Sequence, residues 1–143
     1  MKILVSGCLL GHCCRYDGKH MRNEKVIEYL KDKEYIVICP EVMSGMTTPR
    51  HPSEIVGDKV MSNTGVDVTD FYEKGAQIAL ELALKHQCTK AILKEYSPSC
   101  GVHSIYDGSF SGKKIKGRGR TTQLLIENGI EVISSEDFVD FVL

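Results

Sequence analysis

The segment KAILKEYSPSCG (residues 90–101) joins a short apolar run to a proline-containing loop that ends in a cysteine. The consecutive apolar residues 91–93 indicate a buried β-strand. Pro98 lacks a backbone donor and biases Ser97 away from the helical region, so the residues that follow the strand must form a loop. The segment therefore predicts a strand whose carboxyl end leads to Cys100.

The same arrangement occurs at two other places in the chain. Residues 3–5 form an apolar run that leads to Cys8, and residues 35–38 lead directly to Cys39. In an open parallel sheet, the loops at the carboxyl ends of the strands meet in one crevice, where ligands bind. We therefore expect the three thiols to converge, as ligands of an iron–sulfur cluster or a zinc ion. The alternative is that each free cysteine is a small buried hydrophobe.

Strand and helix patterns alternate along the chain. Strands are predicted at residues 1–5, 35–38, 90–94 and 130–133, and helices at about 23–31, 67–86, 121–127 and 135–137, whereas residues 40–64 and 109–119 read as irregular loops. This alternation predicts an α/β fold. We expect a single-domain open parallel sheet of about four or five strands with helices on both faces, Rossmann-like or flavodoxin-like. Its 143 residues, 42% hydrophobic, are enough for one domain over residues 1–143.

Composition and charge narrow the possible partners. The net charge of −1 argues against a protein that coats nucleic acid, and the basic run KKIKGRGR (residues 113–120) has no aromatic residue for base stacking. No run reaches the roughly 18 apolar residues of a membrane span. We expect a soluble, cytoplasmic protein without membrane or nucleic-acid partners, and either a monomer or a homodimer. In a reducing compartment, six cysteines favour metal binding or catalysis over disulfides.

Two kinds of polar side chain accompany the thiols. Glu41 stands two residues beyond Cys39, where a carboxylate can move protons or orient a water molecule; its alternative is a surface acid or a partner of a helix dipole. Ser97 and Ser99 precede Cys100, where a hydroxyl can bind substrate or relay a proton; the alternative is a serine that caps its own turn. These residues and the thiols together compose a candidate site.

Further candidates come from the two long loops. Arg15, Thr48 and Arg50 offer a guanidinium or a hydroxyl to a substrate, with loop architecture as the alternative for each. Cys14 is a reserve metal ligand, a redox partner or a plain loop residue.

Five motifs together resemble the DUF523 family, which includes the thiouracil desulfurases. The motifs are SGCLLG (residues 6–11), CRYDG (14–18), CPE (39–41), TPR (48–50) and SPSCG (97–101). In the desulfurases of this family, three cysteines hold a [4Fe-4S] cluster and leave one iron free for the sulfur of a thiolated pyrimidine. The resemblance implies Cys8, Cys39 and Cys100 as cluster ligands and Glu41 and Ser97 as catalytic residues.

The resemblance also implies a function. We expect a desulfurase that removes sulfur from a thiolated pyrimidine or a related thioamide by non-redox hydrolysis of the C–S bond. The substrate would be a small thiolated base or nucleoside, and the cluster would be absent from protein prepared in air. The alternatives are a cluster-based sulfur carrier in thio-modification metabolism and a zinc-binding structural protein.

Overall fold

The computed structural model describes residues 2–12, 16–18 and 22–137. In these residues, helices separate the successive strands of the main sheet, as the sequence predicts, and two short hairpins are added. In chain order the elements are β1 Lys2–Ser6, α1 Glu24–Leu30, β2 Glu34–Ile38, α2 Pro40–Met43, β3 Ser53–Val56, β4 Lys59–Ser62, α3 Thr69–Lys85, β5 Lys90–Leu93, β6 Ser104–Tyr106, β7 Lys114–Lys116, α4 Arg120–Glu127 and β8 Glu131–Ser134, with short 3-10 helices at Gly7–Leu10 and Ser135–Asp137.

The main sheet is parallel and has the strand order β2-β1-β5-β8. Val5 of β1 pairs with Val37 of β2 on one side and with Ile92 of β5 on the other. The chain therefore runs outward from β1 in both directions, which creates a topological switch point between β1 and β5. In sheets of this class, ligands bind outside the carboxyl ends of the strands at such a point.

Alternate residues of the central strands point to opposite faces of the sheet. Leu4 and Leu93 belong to a core shared with α3 and α4, whereas Val5 and Ile92 belong to a core shared with α1. Each of these four side chains is fully buried, and burial of one such side chain contributes about 1.5–3 kcal/mol. Helices cover both faces of the sheet, so the predicted α/β class is confirmed.

The helix ends follow local signals. Asn23 caps α1, because its Oδ1 accepts hydrogen bonds from the amides of Lys25 and Val26, both at 3.1 Å. Before α3, Asp67 Oδ1 accepts the amide of Thr69 at 2.9 Å. The predicted ranges of these helices, about 23–31 and 67–86, begin at these two residues, and the helices themselves begin at Glu24 and Thr69.

Two segments predicted as irregular loops contain regular structure. Residues 40–64 include α2 and the antiparallel hairpin β3–β4, and residues 109–119 include β7, which pairs with β6. The first hairpin turns at Gly57, whose φ of +64° is one that a glycine adopts without steric cost. Gly57-Asp58 stands between two short half-apolar runs, which is a pattern typical of a hairpin turn.

No helix among the residues that the structure describes is long and apolar enough to span a membrane.

Candidate active site

A cavity of about 400 Å³ lies at the carboxyl ends of β1, β2 and β5. The loop after each of these strands contributes one cysteine to its wall, namely Cys8, Cys39 and Cys100. The remaining wall comes from the segment around Arg50, from α3 and from the β6–β7 hairpin. The structure therefore brings the three strand-end thiols to one place.

Cys8 and Cys39 are held by the elements that follow their strands. Cys8 is buried in the 3-10 helix that begins at Gly7, directly after β1. Cys39 occupies the N-cap position of α2 in an extended conformation, because Pro40, at the first helical position, begins the helix immediately after it. Both thiols are thus fixed within two residues of a strand end.

Cys100 is the most enclosed of the three cysteines. Its amide donates to Ser97 Oγ at 2.7 Å, and its Sγ lies 3.7 Å from Ser99 Oγ. Burial, together with the nearby Glu41 carboxylate, raises the pKa of the Cys100 thiol to about 12. A thiolate at this position is therefore stable only beside a cationic partner.

The donors that line the cavity include three thiols, and thiolates are the ligands of iron–sulfur clusters. Among residues 2–12, 16–18 and 22–137, no three His, Cys, Asp or Glu side chains are close enough to ligate one metal ion. In a four-iron cluster each thiolate binds a different iron, so the three sulfurs stand farther apart.

The Glu41 carboxylate is held by two side chains at the edge of the cavity. Arg50 Nη2 lies 3.1 Å from Glu41 Oε2, and the Tyr72 hydroxyl donates to the same oxygen at 3.3 Å. The side chains of Arg50 and Glu41 are only 6% and 14% exposed, so water screens this ion pair weakly. The carboxylate is consequently fixed in position beside the thiols.

Arg50 lines the cavity and also contacts its own loop. Arg50 Nη1 donates to Thr48 Oγ1 at 3.1 Å and to the Thr47 carbonyl at 3.3 Å, while Nη2 binds Glu41. Thr48 does not line the cavity. The arrangement directs the guanidinium of Arg50 toward the carboxylate and its own loop.

The two serines of the third loop separate in space. Ser97 lines the cavity, and its oxygen accepts the Cys100 amide. Ser99 is fully buried behind the wall, where its hydroxyl is 3.0 Å from Thr121 Oγ1 of α4. The structure therefore gives Ser99 a packing role. The other two predicted residues, Arg15 and Cys14, lie outside the described residues.

Glu95 is a buried carboxylate that the sequence analysis did not single out. Its Oε1 accepts the amides of Val102, His103 and Ser104, at 2.6 to 3.2 Å, and its Oε2 accepts the Ser134 hydroxyl at 2.6 Å. Burial alone raises the pKa of Glu95, but these hydrogen bonds outweigh burial and lower the pKa below its ordinary value. The carboxylate ties both ends of the Cys100 loop together. A charged residue at the end of an apolar strand was its only local signal.

Aromatic side chains form another part of the wall. Tyr96 and Tyr106 both line the cavity, with ring centroids 6.2 Å apart. The Lys114 ammonium lies 3.8 Å from the Tyr96 centroid, a cation–π contact that holds this ring. Tyr96 also has a φ of +76°, which is uncommon for a residue with a side chain. An apolar wall with a few polar groups suits a small planar heterocycle.

Comparisons with known proteins identify relatives of this chain. The family model described as 2-thiouracil desulfurase matches residues 3–137. A Bacillus subtilis (strain 168) protein described as uncharacterized protein YbbK is 43% identical over 150 residues, which cover 98% of this chain and 99% of that protein. The solved structure of a [4Fe-4S]-dependent thiouracil desulfidase, TudS (DUF523Vcz), is 41% identical and superposes with a TM-score of 0.89, covering 99% of this chain and 95% of that one.

The family resemblance seen in the five sequence motifs is therefore confirmed, and with it the interpretation of the chain as an enzyme of the desulfurase type. The chain belongs to the 2-thiouracil desulfurase family.

Proposed function

We propose that this protein is a [4Fe-4S]-dependent desulfurase that replaces the sulfur of a thiolated pyrimidine by oxygen through non-redox hydrolysis. The observation that carries the proposal is the convergence of Cys8, Cys39 and Cys100 on one cavity beside the fixed carboxylate of Glu41. The similarity to a structure described as a [4Fe-4S]-dependent thiouracil desulfidase supports the choice of cofactor and substrate class.

Three cysteines would hold the cluster through three of its corners. When bound, the group would supply a fourth, open iron, a soft Lewis acid that attracts thiocarbonyl sulfur and polarises the C–S bond. The protein supplies the rest of the chemistry from its own side chains. The overall reaction consumes one water, releases sulfide and leaves a carbonyl, so no electrons are transferred.

We assign to Glu41 the orientation and deprotonation of the attacking water molecule. Its carboxylate is 14% exposed and lies close enough to the Cys100 thiol to raise the pKa of that thiol. A water molecule bound by this carboxylate is directed toward the reacting carbon and loses its proton to Glu41 as the C–O bond forms. Arg50 keeps the carboxylate oriented while this happens.

Ser97 supplies the second polar contact. Its oxygen already accepts the Cys100 amide at 2.7 Å, so the hydroxyl proton can point away from that bond and into the cavity. We assign this proton to the ring nitrogen or the departing sulfur of the substrate, where it stabilises charge that develops during cleavage. Tyr96 and Tyr106, which both line the cavity, offer an aromatic contact to the substrate ring.

The first experiment measures iron and acid-labile sulfide in protein purified and reconstituted without oxygen, together with sulfide release from 2-thiouracil. We expect about four of each per chain and release of sulfide. Replacing Cys8, Cys39 or Cys100 by alanine should abolish both. Cys88→Ala is the matched control, because Cys88 is also a buried free cysteine but does not line the cavity.

Two outcomes contradict the proposal. Protein that takes up no iron, or that takes up iron equally well without Cys100, excludes the assigned cluster site. Protein that binds the cluster but releases no sulfide from any thiolated pyrimidine excludes the desulfurase activity and leaves the sulfur-carrier alternative.

A further inference from the structure

Tyr72 lies in the first turn of α3, 31 residues along the chain from Glu41, and is almost fully buried, with 3% exposure. Its hydroxyl donates to Glu41 Oε2 at 3.3 Å, and Arg50 Nη2 lies 3.1 Å from the same oxygen. One oxygen of the carboxylate is therefore bound by two donors from two different elements. Within the part of the chain that the structure describes, Oε1 of Glu41 receives no hydrogen bond.

The two oxygens of Glu41 are thus chemically different. An oxygen that accepts a guanidinium and a phenol carries stabilised negative charge and is a poorer base than its unbound neighbour. A carboxylate held through one oxygen also keeps the other at a fixed angle. Proton transfer is consequently directed to Oε1.

Tyr72 is suited to this task by its surroundings. Burial raises the pKa of its phenol well above the ordinary value, and the Glu41 carboxylate raises the pKa further, so the hydroxyl stays protonated and acts only as a donor toward Glu41. Packing also fixes the ring, because Tyr72 shares a buried cluster with Val60 and Val68. The donor therefore does not rotate away when substrate enters.

We propose that Tyr72 is a positioning residue of the proposed desulfurase, which fixes Glu41 through Oε2 so that Oε1 takes the proton of the attacking water. The inference rests on the proposed function of Glu41. The proposal assigns a part of the site to α3, and none of the five sequence motifs lies in that helix.

The test removes only the hydroxyl, with Tyr72→Phe. In protein reconstituted with the cluster, we expect kcat for sulfide release from 2-thiouracil to fall roughly tenfold, the effect of one hydrogen bond to a charged group, with KM and iron content unchanged. Tyr35→Phe is the matched control, because Tyr35 is exposed on the edge strand β2 and does not line the cavity. Its kcat should equal that of the wild type.

A double-mutant cycle with Glu41→Ala separates positioning from general loosening of the structure. Tyr72→Phe should cause no further loss of kcat once Glu41 is absent, because its effect passes through that carboxylate. The free energies of unfolding in urea should also be measured for the same four proteins without the cluster. They should show coupling between positions 41 and 72. This second readout does not depend on turnover.

The outcomes are distinguishable from failure of the proposed function. A wild-type kcat in Tyr72→Phe, or an equal loss with and without Glu41, overturns the positioning role. A wild type that releases no sulfide overturns the desulfurase activity and with it the catalytic part of the inference. In that event the unfolding cycle still shows whether the contact between Tyr72 and Glu41 exists.

Discussion

Gly75 of α3 lies so close to Pro40 of α2 that a β-carbon at position 75 would stand 2.5 Å from the Pro40 carbonyl oxygen. Tyr72 is three residues before Gly75, on the same face of the helix. One face of α3 thus supports the junction between β2 and α2, which carries Cys39 and Glu41. Gly75 packs closely against the backbone there, and Tyr72 donates a hydrogen bond.

Gly75→Ala should therefore damage the site although alanine favours helices. In an exposed helix this exchange stabilises by about 1 kcal/mol. Here we expect a loss of about 1–3 kcal/mol in the free energy of unfolding, because Pro40 must move, together with a lower iron content. Urea unfolding and iron analysis measure both. Lys74→Ala, at the exposed neighbouring position, should change neither; a more stable Gly75→Ala protein with full iron would contradict the contact.

Gly119→Ala should disturb the loop of Cys100. A β-carbon there would overlap the backbone carbonyl of Ser99 and lie 2.7 Å from the Cys100 nitrogen. We expect reconstituted protein to bind clearly less iron and to unfold about 1–3 kcal/mol more easily. Arg118→Ala, at the exposed preceding residue, is the control for changes in the basic loop. Wild-type iron binding by Gly119→Ala would show that the loop adapts.

Arg50→Met should destabilise the protein by about 3 kcal/mol, because it leaves the buried Glu41 carboxylate without its ion-pair partner. The comparison is Lys59→Met, which removes the exposed pair with Asp67 and should cost less than about 1 kcal/mol. Chemical denaturation of both variants measures the two losses in the free energy of unfolding. Similar small losses would mean that Arg50 does not act on Glu41.

Glu95→Gln should remove a pH-dependent part of the stability. The folded protein lowers the pKa of Glu95 below the ordinary value of 4.5, so this carboxylate stabilises the fold above that pH. The contribution is lost as the pH falls from about 4.5 through the lowered pKa. We expect the wild type to lose stability on acidification more steeply than the variant, while the variant is less stable at pH 7. Urea titrations from pH 3 to 7 test this, and parallel curves would contradict it.

Much of the fold follows from local signals in the sequence. The apolar runs before Cys8, Cys39 and Cys100 predict strands, and the helices predicted to begin at about residues 23 and 67 are present as α1 and α3. The hairpins β3–β4 and β6–β7 were missed because their strands have three or four residues and little periodicity. Such short strands are specified by their partners more than by their own pattern.

The sequence by itself determined which chemistry the site contains, because thiols, a carboxylate and a hydroxyl after strand ends must meet wherever the strands are parallel. Only the tertiary structure decided what each polar group contacts. Arg50, a substrate candidate, lines the cavity as the ion-pair partner of Glu41, and Ser99 is fully buried and does not line the cavity. Tyr72 and Glu95 contribute to the site although neither belongs to one of the five sequence motifs. The reason is physical: a hydrogen bond depends on the positions and angles of two groups in space, and residues separated by 31 positions in the chain carry no local record of that geometry.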